Sequence, residues 1–113
     1  MQQMFFVGAY CLQAERLKEV LIGQRSKKGL HYVSMVSVSV IPGLRKKLFN
    51  QLRMLHVYDC PFAGMPDHTP KALTDEKLEH CVWVEPTTKV LVEFEEWSKS
   101  GHLLHPSVVR IVD

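Results

Sequence analysis

The chain has 113 residues, 46% hydrophobic, 23% charged and 9% aromatic, with a formal net charge of +2. That length supports one hydrophobic core and not two, and that balance excludes a disordered tail or a low-complexity linker. No apolar run approaches the ~20 residues of a membrane-spanning helix, and the start, Met1-Gln2-Gln3-Met4-Phe5-Phe6-Val7, lacks the basic flank and long apolar stretch of a secretion signal.

Residues 4–12 are apolar and aromatic and predict a buried or half-buried strand. Residues 17–24 form a second apolar run, closed by Arg25-Ser26-Lys27-Lys28-Gly29. This is hairpin chemistry: Gly29 supplies a positive φ and the charges suit an exposed tip. Residues 31–40 predict a long third strand with a fault, because Val33 and Met35 share one parity and Val36, Val38 and Val40 the other. Side chains alternate across a strand, so the apolar set stays inward only if one extra residue is inserted near 35–36; a bulge is expected there. Ile41-Pro42-Gly43 breaks the strand. Leu44, Leu48, Leu52 and Leu55 then recur at helical spacing, with Arg45, Lys46, Lys47, Asn50, Gln51 and Arg53 on the remaining faces.

Residues 56–82 form a long connection containing Pro61, Pro66 and Pro70. Thr69-Pro70 and Thr74-Asp75-Glu76 read as helix starts, so a short helix near 75–81 is expected. Residues 84–97 contain a fourth strand with Val90, Val92 and Phe94 on one face; Trp97 falls off that parity and predicts an irregularity near 95–96. Ser100-Gly101 marks a turn, and 108–112 a final short strand. Three strands, a helix and two more strands, with long strands that bulge, is the order of a five-stranded Greek-key barrel of the OB type. The expected architecture is mainly β, with one helix between strands 3 and 4 and residues 1–113 as a single domain.

The net charge conceals a split. Residues 20–58 contain no acid, while Arg25, Lys27, Lys28, Arg45, Lys46, Lys47 and Arg53 give that stretch +7; from Asp59 onward ten acids face five bases. Such a segregated basic stretch points to an anionic partner, against the plainer reading of a solvated basic surface. On an OB barrel, Tyr32 on the third strand would serve as a stacking platform, flanked by the 25–28 turn and the basic helix. Arg25, Lys27, Lys28, Arg45, Lys46 and Arg53 are therefore the candidate nucleic-acid-binding residues, each contacting phosphate. Phe5, Phe6, Phe49, Phe62, Phe94 and Trp97 are assigned to the core.

Little else carries chemistry. No phosphate-binding glycine loop, nucleophile elbow or H-E-x-x-H occurs. His80-Cys81 and His102/His105 lack a C-x-x-C companion, so no metal is assigned; His102 reads as a polar turn residue and His105 as a bonded edge imidazole. Cys11, Cys60 and Cys81 are odd in number and unpatterned, and read as reduced thiols, with Cys60 a buried inert one. Glu93, Glu95 and Glu96 read as a solvated outer face.

The tail adds a resemblance. Trp83-Val84-Glu85-Pro86, then Val90-Leu91-Val92-Glu93-Phe94-Glu95-Glu96-Trp97, then Gly101-His102-Leu103-Leu104-His105-Pro106-Ser107 resembles the C-terminal OB domain of ATP-dependent DNA ligases, above all the bacterial ligase D type used with Ku in end joining. Val7-Gly8-Ala9-Tyr10, Leu30-His31-Tyr32-Val33, the Leu-rich helix and Pro61-Phe62 follow the family's order. The resemblance implies a domain that closes over the nucleotide and then clamps the DNA backbone during nick sealing in DNA repair. It also implies ATP and Mg2+ as cofactors of the complete enzyme, and as partners DNA, a nucleotidyltransferase domain and a Ku-type protein, in a bacterial, nucleoid-associated, cytoplasmic setting.

Three departures bear on activity. The lysine motif K-x-D-G is absent, so this chain alone forms no lysyl adenylate and is expected to be inactive by itself. Where such ligases read close to V-G-K-V-G-T-G-F, this third strand reads Val33-Ser34-Met35-Val36-Ser37-Val38-Ser39-Val40. The family's terminal R-x-D-K is matched by Arg110 and Asp113 only with one extra residue between them, which leaves Arg110 a weak candidate for nucleotide phosphate. The sequence either stops just short of that motif's end or has diverged from the adenylation role. Two alternatives stay open: a stand-alone single-stranded nucleic-acid-binding OB module, and a protein-interaction barrel that pairs through a strand edge.

Overall fold

The computed structural model describes residues 1–63 and 80–112. Among these residues six strands form, β1 (Gln2–Gln13), β2 (Arg16–Ser26), β3 (Gly29–Val38), β4 (Cys81–Trp83), β5 (Lys89–Glu93) and β6 (Ser107–Val112), with one helix, α1 (Leu44–Leu52), extended by a 3-10 turn over Arg53–Leu55. β1, β2 and β3 form an antiparallel meander; β3 pairs with β6 in parallel, β6 with β5 and β5 back to β1 in antiparallel fashion. Five strands thus close a barrel of the OB type with the helix between the third and fourth, as expected. The short β4 is an addition that the sequence reading missed: it pairs with residues 9–11 of β1, alongside the stretch at 2–6 that pairs with β5.

Closure depends on bulges, which bend a strand and turn its side chains to the other face. Register shifts leave Gly8 extra in β1, Lys18 in β2, Val33 in β3 and Val109 in β6. The fault anticipated in the third strand is present but lies at Val33, two residues earlier. Val33, Val36 and Val38 therefore point into the barrel, while Met35 turns to the outer face. In β1 the same inversion at Gly8 puts Phe5, Val7 and Tyr10 inside and Ala9 and Cys11 outside. β3 ends at Val38, leaving Val40 and Ile41 exposed.

The helix needs Gly43, whose φ of 80° is left-handed and lets the chain reverse after Pro42. Leu44, Leu48 and Leu52 are buried against the barrel core and Leu55 packs beside them, so the leucine stripe is the helix's inner face. Gln51 Nε2 donates to Thr88 Oγ1 at 3.2 Å, and Glu85 N–H donates to the Leu55 carbonyl at 2.8 Å, which seats the end of the helical segment on the 85–88 loop.

A second, smaller apolar cluster covers the outer face of β1–β3. Its centre is Phe62, which is buried with Ala9, Leu21 and Leu30; Phe6, Tyr32, Met35 and Trp83 pack around it half-buried. A Cβ on Gly8 would stand 2.4 Å from the Phe62 ring, and one on Gly23 would stand 2.9 Å from it. The two glycines form a seat for this ring. At the same face Cys11 and Cys81, directly opposed in the β1–β4 pairing, form a disulfide, so the reading of three reduced thiols is corrected. Cys60 is free and exposed, not buried. The short helix expected near 75–81 falls outside the described residues except for His80, in a turn, and Cys81, which belongs to β4. No helix among the described residues is long and apolar enough to cross a membrane.

Candidate nucleic-acid interface

The structure divides the candidate cations into three groups. Arg45, Lys46 and Arg53 share an outward stripe of the helical segment with half-buried Phe49, since positions 45, 49 and 53 recur at four-residue spacing. Opposite this stripe stands the β1–β2 turn. Arg45, Lys46 and Phe49 line a hollow of about 380 Å³ together with Glu15, Arg16, Leu17 and Gly43. Phe49 packs edge-on to Tyr10, ring centroids 5.6 Å apart. Burial raises the Tyr10 hydroxyl pKa, and the nearby Arg53 guanidinium offsets part of that rise.

Arg25, Lys27 and Lys28 lie at the other end of β2. Gly29 closes that turn with φ 121°, as its sequence required. Lys27 and Lys28 project from an exposed tip. Arg25 is committed differently: its guanidinium donates to the Pro86 carbonyl at 2.5 Å and lies 4.6 Å from the Phe6 ring centroid, a ring that Lys89 also approaches at 5.8 Å. It clamps the 85–88 loop to the barrel, with part of its donor fork left for a ligand.

Arg110 forms a third location. It is exposed on β6 and lines a hollow of about 370 Å³ with Lys47, Leu44 and the 41–43 segment. Lys47 was not singled out from sequence; it sits at the helix position that faces β6 rather than β2.

The expected stacking platform is covered. Tyr32 is half-buried, edge-on to Phe62 at 5.6 Å and 6.1 Å from the His102 ring. Burial, with a smaller contribution from the Glu19 carboxylate, pushes its pKa up to about 12. His102 is not a polar turn residue: it is buried, and its Nδ1 lies 2.6 Å from the Val33 carbonyl, at the β3 bulge. His105 is exposed and takes a left-handed φ of 52°. Phe5, Phe62 and Phe94 are buried and Phe6, Phe49 and Trp97 half-buried, so none stands free as a platform. Glu93, Glu95 and Glu96 are exposed. Among the described residues no three His, Cys, Asp or Glu side chains converge on a position for a metal ion.

A closed barrel with a helix between its third and fourth strands defines an OB-type domain, here with Arg45 and Lys46 exposed on that helix. The chain belongs to the family described as the ATP dependent DNA ligase C terminal region, whose sequence profile matches residues 13–113. Its fold is similar to that of the ligase domain of Mycobacterium tuberculosis LigD, with a TM-score of 0.82 at 19% identity, over 99% of this chain and 35% of that one. It is similar also to a mycobacterial DNA ligase D complexed with ATP and MES, with a TM-score of 0.77 at 21% identity, over 99% of this chain and 34% of that one. The chain thus spans about a third of the length of those ligase chains. No curated protein sequence matches it.

Proposed function

We propose that this chain is the DNA-engaging OB domain of an ATP-dependent DNA ligase, holding the sugar-phosphate backbone and closing over the nucleotide while a nick is sealed in repair or end joining. The observation that carries this reading is the acid-free basic stretch of residues 20–58, whose Arg45, Lys46 and Arg53 share one outward stripe of the helical segment, in a chain matched along residues 13–113 by a ligase C-terminal family. Arg45, Lys46 and Arg53 contact phosphates from the helix, Lys27 and Lys28 from the turn, and Arg25 with the donors its Pro86 bond leaves free. Such contacts fix position on the duplex and are indifferent to base sequence.

The chemistry belongs to a nucleotidyltransferase domain. ATP, with Mg2+, supplies the AMP that the complete enzyme transfers, and this chain has no K-x-D-G lysine to receive it. Arg110 and Lys47, lining one hollow, are the residues here that suit a nucleotide phosphate. A Ku-type partner and a bacterial cytoplasmic, nucleoid-associated setting complete the reading. The alternative, a stand-alone binder of single strands, gains support from Met35, which stands where resembling ligases carry lysine. It loses more from Tyr32, whose ring is turned into the Phe62 cluster and is not offered to a base.

A salt titration tests the proposal. Nicked duplex should bind the chain at low ionic strength and weaken linearly in log–log form as salt rises, with a slope of about −0.9 for each phosphate neutralised. Binding of single strands in preference to nicked duplex supports the alternative. No binding at low salt, or binding insensitive to salt, contradicts both.

A further inference from the structure

We infer that the groove between α1 and the β1–β2 turn is a backbone track, in which Arg16 and Lys18 of β2 act together with Arg45 and Lys46 to hold successive phosphates of one DNA strand. This rests on the DNA-binding reading and extends the contact to Arg16 and Lys18, which lie outside the acid-free stretch.

The groove is elongated. The hollow lined by Arg16, Arg45, Lys46 and Phe49 continues into a second of about 270 Å³ lined by Arg16, Lys18 and Arg45, with Arg16, Leu17 and Arg45 common to both. Two elements therefore contribute four cations in a row, with Lys46 at one end and Lys18 at the other. Glu15 is the one acid among the residues lining these two hollows. A row of separated positive charges suits a linear polyanion better than a single small ion, which would use only one end.

Two irregularities aim the β2 cations. Ala14 and Glu15 both hold left-handed backbone, φ 51° and 64°, in a turn so tight that Gln13 pairs directly with Arg16, placing Arg16 at the groove's lip. Lys18 is the extra residue of the β2 bulge, and a bulge redirects a side chain out of the regular alternation. Leu17 is buried between them and fixes the backbone from which both project. Phe49, half-buried in the groove and braced by Tyr10, gives a deoxyribose an apolar surface between the charges.

The test measures binding of a fluorescein-labelled duplex with one central nick by anisotropy, across about 50–200 mM salt. Arg16→Ala and Lys18→Ala should each flatten the salt slope by about 0.9, and the double variant should weaken binding at least tenfold at the low-salt end. Arg16→Lys should keep the parent slope, because the charge is retained. Lys99→Ala, an exposed lysine on the 98–101 turn, should change nothing. Thermal unfolding of each variant checks that the barrel is intact. Parent-like slopes in the double variant, while the parent still binds in a salt-dependent way, overturn the track and leave the DNA-binding reading standing. A parent that does not bind overturns both.

Discussion

Ala14 and Glu15 occupy a turn whose backbone asks for Asn-Gly, since two successive left-handed residues cost about 1 kcal/mol or more each when they carry a Cβ. Replacing the pair by Asn-Gly should raise stability by about 1 kcal/mol, read as a higher denaturation midpoint at unchanged slope. Gly8 works in the opposite direction. A methyl there would meet the Phe62 ring at 2.4 Å within a packed cluster, so Gly8→Ala should destabilise by about 1–3 kcal/mol. Tyr32 makes stability pH-dependent at the alkaline end. Its folded pKa of about 12 exceeds the ordinary 10.0, so between those values the folded chain keeps a proton that the unfolded chain releases. That contribution is complete below pH 10 and is lost as pH rises towards 12. Tyr32→Phe should shallow the loss of stability in alkali, and an unchanged profile would show that another group governs it. Phe62 was legible as a core residue, but the glycine seat beneath it was not, because Gly8 and Gly23 are far from it in sequence.

Among the elements, α1 was the easiest to read, because Leu44, Leu48, Leu52 and Leu55 repeat at a helical period that no strand could bury. β4 was the hardest. Its three residues are each half-buried, so no alternation shows, and its pairing with β1 connects positions about seventy residues apart. The bulge in β3 was visible as a parity fault, yet its position was misread because Met35 is apolar on the outer face, where a second cluster receives it. Gly8 in the middle of an apolar run was the corresponding sign for β1, since an isolated glycine in a strand marks a bulge or a close approach. The Cys11–Cys81 disulfide ties β4 to β1 and closes a long loop. In the chain-entropy account such a closure contributes up to about 4 kcal/mol. Reduction, or Cys81→Ser, should therefore lower the unfolding midpoint and speed amide exchange in β4 more than in β2 and β3; equal exchange before and after would show that the strand pairing holds β4 unaided.

For the whole molecule, the sequence exposed the charge division but not its geometry. Residues 20–58 carry seven bases, and folding sends them to separate places: Arg45 and Lys46 to the groove facing β2, Arg53 further along the same helical stripe, Lys27 and Lys28 to the far turn, Lys47 to the β6 side, and Arg25 largely to Pro86 and Phe6. Conversely, Arg16 and Lys18 looked neutral in context, because Glu15 and Glu19 cancel them along the chain; only the turn and the bulge bring them against α1. The covered face of Tyr32 also shifts the expected binding surface from an aromatic strand platform to cations on the helix side. On the proposed reading, the helix side of the barrel seats the DNA backbone. Amide chemical-shift mapping of the chain titrated with nicked duplex tests it most directly. The perturbed amides should gather at 14–18, 43–53 and the Lys27–Lys28 turn and fade as salt rises. Perturbations centred on the acidic 93–96 segment, or scattered without salt dependence, would contradict it.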